Sequence, residues 1–309
     1  MTMSLLRIAT RKSPLALWQA EHVAALLRAA HPDLAVELKP MTTKGDRIQD
    51  RSLAAIGGKG LFIKELEVAL EEGHADLAVH SMKDVPGELP AGFVIGAVLP
   101  RADPYDALIA TRYARLAELP HAARVGTSSL RRQAQLLALR ADLRIEGLRG
   151  NVDTRLRRLE EGHLDAIILA CAGLVRLGWE SRITARLEPD ICLPAVSQGV
   201  IGIECRSADS PTRLKLAALE HAPTRTVMEA ERAFSGHLGG SCQSPIAAHA
   251  VLAEGRVVLD GLVAAPDGSR LIRDHIEGAA ADAAALGLEL ADRVLRAGAG
   301  ALLDSLRTG

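Results

Sequence analysis

The nine residues Glu71-Glu-Gly-His-Ala-Asp-Leu-Ala-Val79 recur in closely similar form as Glu160-Glu-Gly-His-Leu-Asp-Ala-Ile-Ile168. In each copy a glycine that can stop a helix is followed by a short apolar run typical of a buried strand. Two further pairs of segments match in the same order, namely 7–10 with 124–127 and 32–37 with 141–146. Three matches in one order indicate an internal repeat, so the sequence predicts two similar domains.

Strand-like and helix-like segments alternate within each copy. The run 6–10 is followed by Ser13-Pro14, a good helix start, and then by a helix to about Ala30 and a strand over 35–39. This βαβ rhythm predicts a mostly parallel sheet with crossover helices. From 222 the pattern changes to one long helix, three strand-like runs (246–253, 256–265 and 269–276) and a helix over about 281–297.

These patterns predict an α/β protein with two similar hinged domains, like those of periplasmic binding proteins, and a C-terminal α+β domain. We assign residues 1–99 and 200–217 to the first domain, 105–193 to the second and 222–309 to the third. In open α/β sheets, ligands bind at the carboxyl ends of the strands. The residues after these strand ends are therefore the first candidates for a functional site.

Composition excludes several classes of function. The net charge of −1 and the seven aromatic residues argue against binding to duplex or single-stranded nucleic acid. No apolar stretch is long enough to predict a membrane span, and the N-terminal residues do not resemble a signal peptide. The four cysteines lack metal-ligand spacing, so we expect no metal and a reduced, cytoplasmic protein.

Arginine is concentrated between Arg124 and Arg158, where nine arginines stand against three acidic residues. Guanidinium groups beside small hydroxyl residues at a helix start suit carboxylates or phosphates. We expect Arg131, Arg132, Arg149 and Arg155 to line a site for a small anionic ligand. Because 30 of the 37 basic residues are arginine, the others in this segment are interpreted as solvated charges: Arg140, Arg144, Arg157 and Arg158.

Two further segments carry residues with chemical potential. Asp84 follows a strand end in Ser81-Met-Lys-Asp84 and could stabilise a developing cation or deliver a proton, although such a carboxylate is often a surface ion pair. Cys242 lies in the loop Gly239-Gly-Ser-Cys242, where the glycines allow close approach, and is a candidate nucleophile or attachment thiol. Three cysteines in apolar runs are interpreted as core residues: Cys171, Cys192 and Cys205.

Longer motifs resemble those of the porphobilinogen deaminase family, also called hydroxymethylbilane synthase. The resemblance extends from about residue 6 to 297 and rests on these stretches: Ile8-Ala-Thr-Arg-Lys-Ser-Pro-Leu-Ala-Leu-Trp-Gln19, Gly57-Gly-Lys-Gly-Leu-Phe62, Val79-His-Ser-Met-Lys-Asp-Val-Pro86, Gly126-Thr-Ser-Ser-Leu-Arg-Arg-Gln133, Leu148-Arg-Gly-Asn-Val-Asp-Thr-Arg-Leu156 and Gly239-Gly-Ser-Cys-Gln243.

The resemblance implies an enzyme that joins four porphobilinogen molecules head to tail into 1-hydroxymethylbilane with loss of ammonia. It implies a dipyrromethane cofactor held by a thioether to Cys242, and a catalytic role for Asp84 in expelling ammonia and stabilising a cationic azafulvene. It also implies a monomer that binds this small-molecule substrate, with neither a nucleic-acid nor a membrane partner.

The same resemblance assigns individual residues to the ligands. The implied cofactor-binding residues are Ser81, Lys83, Thr127, Ser129, Arg131, Arg132, Arg155 and Gly199. The implied substrate-binding residues are Arg11, Ser13, Gln19, Lys59, Phe62, Arg149, Arg155 and Arg176. Gln198 and Gly199 match the region between domains.

This chain departs from the family pattern where Ser241 and Ser197 replace glycines. A serine forced to positive φ costs roughly 1 kcal/mol. One alternative function is a solute-binding protein, which also has two hinged α/β domains but has no use for an anchored cysteine. An RNA-binding module is disfavoured by the net charge and the aromatic count.

Overall fold

The computed structural model describes residues 4–47, 60–241 and 244–307. Its strands in chain order are β1 Ser4–Arg11, β2 Leu34–Met41, β3 Leu77–Ser81, β4 Phe93–Val98, β5 Asp106–Ala110, β6 Arg124–Gly126, β7 Arg144–Glu146, β8 Ala166–Ala170, β9 Ala185–Leu187, β10 Ile201–Arg206, β11 Ile246–Ala253, β12 Arg256–Ala264 and β13 Leu271–Ala279.

The helices alternate with the strands in the first two thirds of the chain. They are α1 Pro14–Ala30, α2 Lys44–Arg47, α3 Lys64–Glu71, α4 Leu130–Leu139, α5 Val152–Glu160, α6 Cys171–Arg176, α7 Ser210–Leu216, α8 Ala222–His237, α9 Ala283–Val294 and α10 Gly300–Arg307. No helix among the described residues is long and apolar enough to cross a membrane.

The two α/β sheets share one topology. Their strand orders are β2-β1-β3-β10-β4 and β7-β6-β8-β5-β9. In both sheets the first three strands are parallel, and the fourth is antiparallel to its neighbours. The repeat found in the sequence is thus a repeat of fold, and the prediction of two similar α/β domains is confirmed.

Burial explains why the strands of the first sheet are almost continuously apolar. Ile8 and Ala9 of β1 and Leu77 and Ala78 of β3 are fully buried, because helices cover both faces of the sheet. Helix α1 begins where expected, since Ser13 caps its first turn and Pro14 stands at its start. Its buried face includes Val23 and Leu27, which pack on the sheet.

The C-terminal segment is α+β, as predicted. Strands β11, β12 and β13 form an antiparallel sheet, and α8 and α9 contribute to the cluster buried against it. The closing helix was predicted over about 281–297, but it ends earlier. Gly298 adopts a φ of 101° and separates α9 from the additional helix α10.

By contacts the chain divides into two compact units. Unit 1 comprises 1–102 and 200–225, and unit 2 comprises 103–199 and 226–309. Unit 2 therefore contains both the second α/β sheet and the C-terminal sheet. A small buried cluster joins them, in which Ala134 and Leu193 pack against Ala247, Leu262 and Ala264. The three-domain boundaries given above remain an interpretation of the sequence.

Candidate active site

In unit 1, the turn that carries Asp84 is anchored by the buried side chain of Met82. Strand β3 ends at Ser81, and a single 3₁₀ turn over Met82–Asp84 follows. Met82 is fully buried, and its N–H donates to the Val200 carbonyl at 3.0 Å. A Cβ at Gly202 would lie 2.1 Å from the Met82 sulfur, so this glycine makes room for the anchor. Lys83 and Asp84 are half-buried beside it.

Two predicted site residues meet at the same strand end. Gln19 of α1 is buried, and its Nε2 donates to the Ser81 hydroxyl at 2.9 Å. Ser13 is occupied as the cap of α1, where its Oγ accepts from the Ala16 N–H at 3.4 Å. The structure therefore brings Gln19 and Ser81 together and gives Ser13 a structural role that the sequence had already indicated.

Arg11 and Phe62 also come together, at the end of β1. The Arg11 guanidinium lies 4.3 Å from the centre of the Phe62 ring and is hydrogen-bonded to Asp46. A Cβ at Gly45 would lie 2.4 Å from that ring, so glycine is required for the ring to pack here. Burial would raise the pKa of Asp46, but Arg11 and Thr43 outweigh it and lower the pKa. Asp46 was not identified from the sequence.

In unit 2, two loops at the carboxyl ends of β6 and β7 are joined by a serine. The Leu148 N–H donates to Ser128 Oγ at 2.9 Å, and that hydroxyl lies 3.0 Å from the Leu148 carbonyl. Thr127 Oγ1 accepts from the Ser129 N–H at 3.2 Å, and Ser129 in turn caps α4. These bonds fix the helix start that precedes Arg131 and Arg132.

Arg131 and Arg132 point into the protein and share one carboxylate. Asp106 at the start of β5 has no exposed surface, and it forms ion pairs of 2.8 Å with Arg131 and 2.7 Å with Arg132. Burial alone would raise the pKa of Asp106, but the two guanidinium charges hold it far below its usual range. Gln198 donates to the same carboxylate at 3.0 Å. Asp106 and its partnership were not identified from the sequence.

The remaining predicted arginines differ in how they are held. Arg155 donates from Nε to the Gly150 carbonyl at 2.9 Å, within the loop that begins α5. Arg176 donates to the Gly199 carbonyl at 2.7 Å, and burial lowers its pKa to about 10. Half-buried Arg149 makes no hydrogen bond or ion pair with the residues that the structure describes. Its guanidinium is therefore well suited to an anionic ligand.

The interpretation of Arg140 as a solvated charge is wrong. Its guanidinium pairs with Asp142 at 2.7 Å and donates to the carbonyls of Leu119 and Pro120, both at 3.2 Å. It thereby ties the end of α4 to the segment that precedes β6. The other three arginines given that interpretation are exposed, as expected: Arg144, Arg157 and Arg158.

The described cysteines are buried thiols of low reactivity. Burial raises the pKa of Cys171 and Cys192 to about 12 and that of Cys205 to about 11. A thiol must be deprotonated to act as a nucleophile, so these three are poor candidates for attachment. Cys242 and Lys59 lie outside the described residues.

The two departures from the family pattern differ in backbone conformation. Among the described non-glycine residues, positive φ occurs at Ser197 (58°), Ala122 and Glu254 but not at Ser241. The strain considered for Ser241 therefore does not arise, whereas Ser197 adopts the left-handed conformation. Its N–H donates to Glu231 at 2.6 Å, which helps to hold that backbone. In the cysteine loop, Gly239 has positive φ, and a Cβ at Gly240 would lie 2.4 Å from Ser235 Oγ.

Each unit thus presents its own group of polar side chains at strand ends. Unit 1 brings together Arg11 with Phe62 and Gln19 with Ser81, beside the turn that carries Lys83 and Asp84. Unit 2 carries arginines after β6 and after β7, in loops that Ser128 and Leu148 join by hydrogen bonds. A carboxylate beside an ammonium group can offset or transfer charge, and arginines at helix starts can hold carboxylates.

Several solved structures are similar to this chain at low identity. They include the methionine binding protein MetQ (14% identity, 70% of this chain and 89% of that one, TM-score 0.44). They also include a TRAP periplasmic solute binding protein from Desulfovibrio salexigens (13%, 71% and 73%, 0.44) and a YaeC-family lipoprotein from Enterococcus faecalis (14%, 74% and 97%, 0.44).

Two protein-family models match this chain in sequence. The model for the porphobilinogen deaminase dipyrromethane cofactor binding domain matches residues 6–214. The model for the porphobilinogen deaminase C-terminal domain matches residues 225–296. The two matches follow one another in chain order and cover the repeated α/β sheets and the C-terminal α+β segment. The chain therefore belongs to the porphobilinogen deaminase family and is a hydroxymethylbilane synthase of tetrapyrrole biosynthesis with a dipyrromethane cofactor.

Proposed function

We propose that this enzyme joins four porphobilinogen molecules head to tail on a dipyrromethane primer attached to Cys242 and releases 1-hydroxymethylbilane. Each condensation forms a carbon–carbon bond from the free α-carbon of the terminal pyrrole to the aminomethyl carbon. The carbon–nitrogen bond breaks, and ammonia leaves. Water releases the finished chain. The observation that carries this proposal is the arginine group of unit 2, which suits a ligand with several carboxylates.

The residues of unit 2 fit the carboxylates of a dipyrromethane and of a growing pyrrole chain. Porphobilinogen carries one acetate and one propionate, so every added ring brings two negative charges. Arg149 offers a whole guanidinium, since it is unpaired within the described residues. Arg131 keeps Nε and Nη2 available, because its contacts with the described residues all use Nη1. We assign Arg131, Arg132 and Arg155 to the cofactor and Arg149 and Arg176 to the substrate.

The hydroxyl groups beside these arginines fit the same assignment. Ser129 caps α4, whose N-terminus attracts anions, and its N–H donates to the Thr127 hydroxyl. We assign both to the cofactor carboxylates, together with Ser81 and Lys83 of unit 1. Gly199, whose carbonyl holds Arg176, belongs to the same group. The bound dipyrromethane supplies the nucleophilic pyrrole carbon that begins the chain.

Asp84 is the proposed catalytic carboxylate. As ammonia leaves, positive charge develops on the substrate pyrrole, and a carboxylate oxygen of Asp84 offsets it. The same oxygen can transfer a proton to the leaving nitrogen or accept the one lost from the attacking α-carbon. Buried Met82 is the first residue of the three-residue turn that ends at Asp84, so its packing limits the movement of this carboxylate.

The Arg11 and Phe62 pair supports a substrate role at the end of β1. The ring and the stacked guanidinium form a flat surface that suits an electron-rich pyrrole, and a substrate carboxylate would compete with Asp46 for the guanidinium. We assign Arg11, Ser13, Gln19 and Phe62 to the substrate, and Lys59 on the grounds of its sequence motif. By resemblance to its family, we also propose that the enzyme is a cytoplasmic monomer.

Mass spectrometry tests the function directly. Purified enzyme incubated with limiting porphobilinogen is expected to show successive covalent additions, each equal to one porphobilinogen less one ammonia, with equimolar ammonia released. The Cys242→Ser variant is the matched control and should show no additions. Reversible binding of porphobilinogen without covalent additions or ammonia release would instead identify a solute-binding protein and contradict the proposal.

A further inference from the structure

The Asp106 cluster is buried within unit 2 and has an unequal charge balance. It consists of Asp106, Arg131 and Arg132, all buried in the protein. One carboxylate neutralises one of two guanidinium groups, so the cluster keeps one positive charge. Buried charges are normally paired, and an unpaired buried charge carries a large desolvation cost. A ligand carboxylate that reaches the cluster would complete the pairing.

The hydrogen bonds that Arg131 and Arg132 make within the protein decide which of their N–H groups remain for such a ligand. Arg132 uses Nε and Nη2 on Asp106 and Nη1 on the Ile168 carbonyl at 2.9 Å. Arg131 uses Nη1 on Asp106 and on the Leu193 carbonyl at 2.7 Å. Both planar groups are therefore held in orientation from the inside. The Asp106 carboxylate is itself fixed, since Oδ1 also accepts from Gln198 and the Cys192 thiol donates to Oδ2 at 3.4 Å.

We propose that Asp106 is a positioning residue for the carboxylate-holding arginines. It is an internal counter-ion that orients Arg131 and Arg132 and limits the net charge of the cluster to one positive charge, which one ligand carboxylate can neutralise. Without this limit, the pair would present two positive charges and would hold the acidic chain too tightly. With it, the pair fixes one carboxylate at a defined place and leaves the rest of the chain to other residues.

This role rests on the proposed function. We therefore measure anion binding and covalent attachment of the cofactor in separate experiments. Anion binding is measured by titrating succinate, a small dicarboxylate, at constant ionic strength into the full-length Cys242→Ser protein and following thermal unfolding. Introducing Asp106→Asn in that background keeps the side-chain shape but removes the counter-charge. We expect succinate to bind about tenfold more tightly, since one nearby negative charge has been removed from a poorly solvated site.

The sign of this change separates positioning from ordinary structural support. If Asp106 only stabilised the fold, its removal would loosen the arginines, and succinate binding would weaken or stay the same. Either result in a folded variant overturns the proposal. Asp142→Asn is the matched control because it removes a carboxylate from another Arg–Asp pair of unit 2, and it should change succinate affinity less than twofold.

A second variant decides the matter if Asp106→Asn does not fold. Asp106→Glu in the Cys242→Ser background keeps the counter-charge on a side chain one methylene longer. We expect succinate affinity within about threefold of that background, because the net charge of the cluster is unchanged. A larger change in succinate affinity in either direction would overturn the proposal. The intact mass of the wild-type protein reports the covalent cofactor, so failure of the proposed function is visible independently.

Discussion

A methyl group added at Gly202 should disturb catalysis by displacing Met82, which anchors the turn that carries Asp84. In the sheet of unit 1, Gly202 of β10 is paired with His80 of β3, two residues before Met82 begins the 3₁₀ turn. A Cβ at this position would lie 2.1 Å from Met82 Sδ and 2.8 Å from Met82 Cγ. Met82 has almost no exposed surface, so it cannot move aside without displacing its neighbours. We predict that Gly202→Ala folds but turns over slowly.

The distances give the size of the effect. Ordinary contacts between such atoms are about 3.5–4.0 Å, so the sulfur must move by roughly 1.5 Å. Overpacking of this kind costs about 1–3 kcal/mol of folding free energy. Misplacement of a catalytic group by about 1 Å can lower the rate about 10²-fold. The expected result is a modest loss of stability with a turnover loss approaching 10²-fold.

The assay measures kcat for porphobilinogen consumption, the thermal midpoint and the intact mass of each variant. Gly96→Ala is the matched control. It lies in the same sheet, and its Cβ would meet Leu216 Cδ1 at 2.8 Å and Cys205 Sγ at 3.0 Å, away from the turn that carries Asp84. It should lose comparable stability but keep most of its turnover.

Two results would refute this reasoning. One is a Gly202→Ala variant that retains more than half of the wild-type turnover. The other is a Gly202→Ala/Met82→Ala double variant that turns over no faster than Gly202→Ala. Residues in direct contact should be coupled, so removal of the clashing side chain should restore part of the rate.

Three further predictions concern single side chains. Asp84→Asn should fold and keep its covalent cofactor but lose about 10²–10³-fold in turnover, and more than a tenth of wild-type turnover in that variant would contradict the assignment. Arg149→Leu should keep the cofactor and slow elongation about 10–100-fold, whereas the exposed Arg157→Leu should stay within twofold, as measured by steady-state kinetics. Arg140→Leu should leave turnover nearly unchanged but lower the unfolding midpoint by about 2–4 °C in calorimetry, because its carbonyl contacts are lost; an unchanged midpoint would contradict its structural role.

Much of the fold could be predicted because its signals are local. The capped start of α1 is encoded by Ser13-Pro14, and the repeated segments encode the repeated strands. The order and direction of strands within a sheet depend on distant contacts. The sequence therefore did not show that β5 and β10 run antiparallel to their neighbours. The predicted closing helix stopped at about Ala297, next to Gly298, and the short helix beyond that glycine was not identified.

The site was harder to predict because charge pairing depends on distant contacts. The arginine-rich segment was identified, but periodicity does not show that Arg131 and Arg132 turn inward. Their partner Asp106 is 25 residues before Arg131 in the sequence (131 less 106) and begins an apolar strand. A charged residue at the head of a fully buried strand was the available signal. Arg140 was misread for the same reason, since its carbonyl partners Leu119 and Pro120 lie before β6.

The attachment of dipyrromethane to Cys242 is the central claim, and peptide mapping of the purified enzyme tests it most directly. We predict that the added mass of two linked pyrroles lies on the peptide containing Cys242. The three described cysteines should be unmodified, because burial raises the pKa of each thiol to about 11 or 12. Adduct on Cys171, Cys192 or Cys205, or active enzyme without any adduct, would contradict the account.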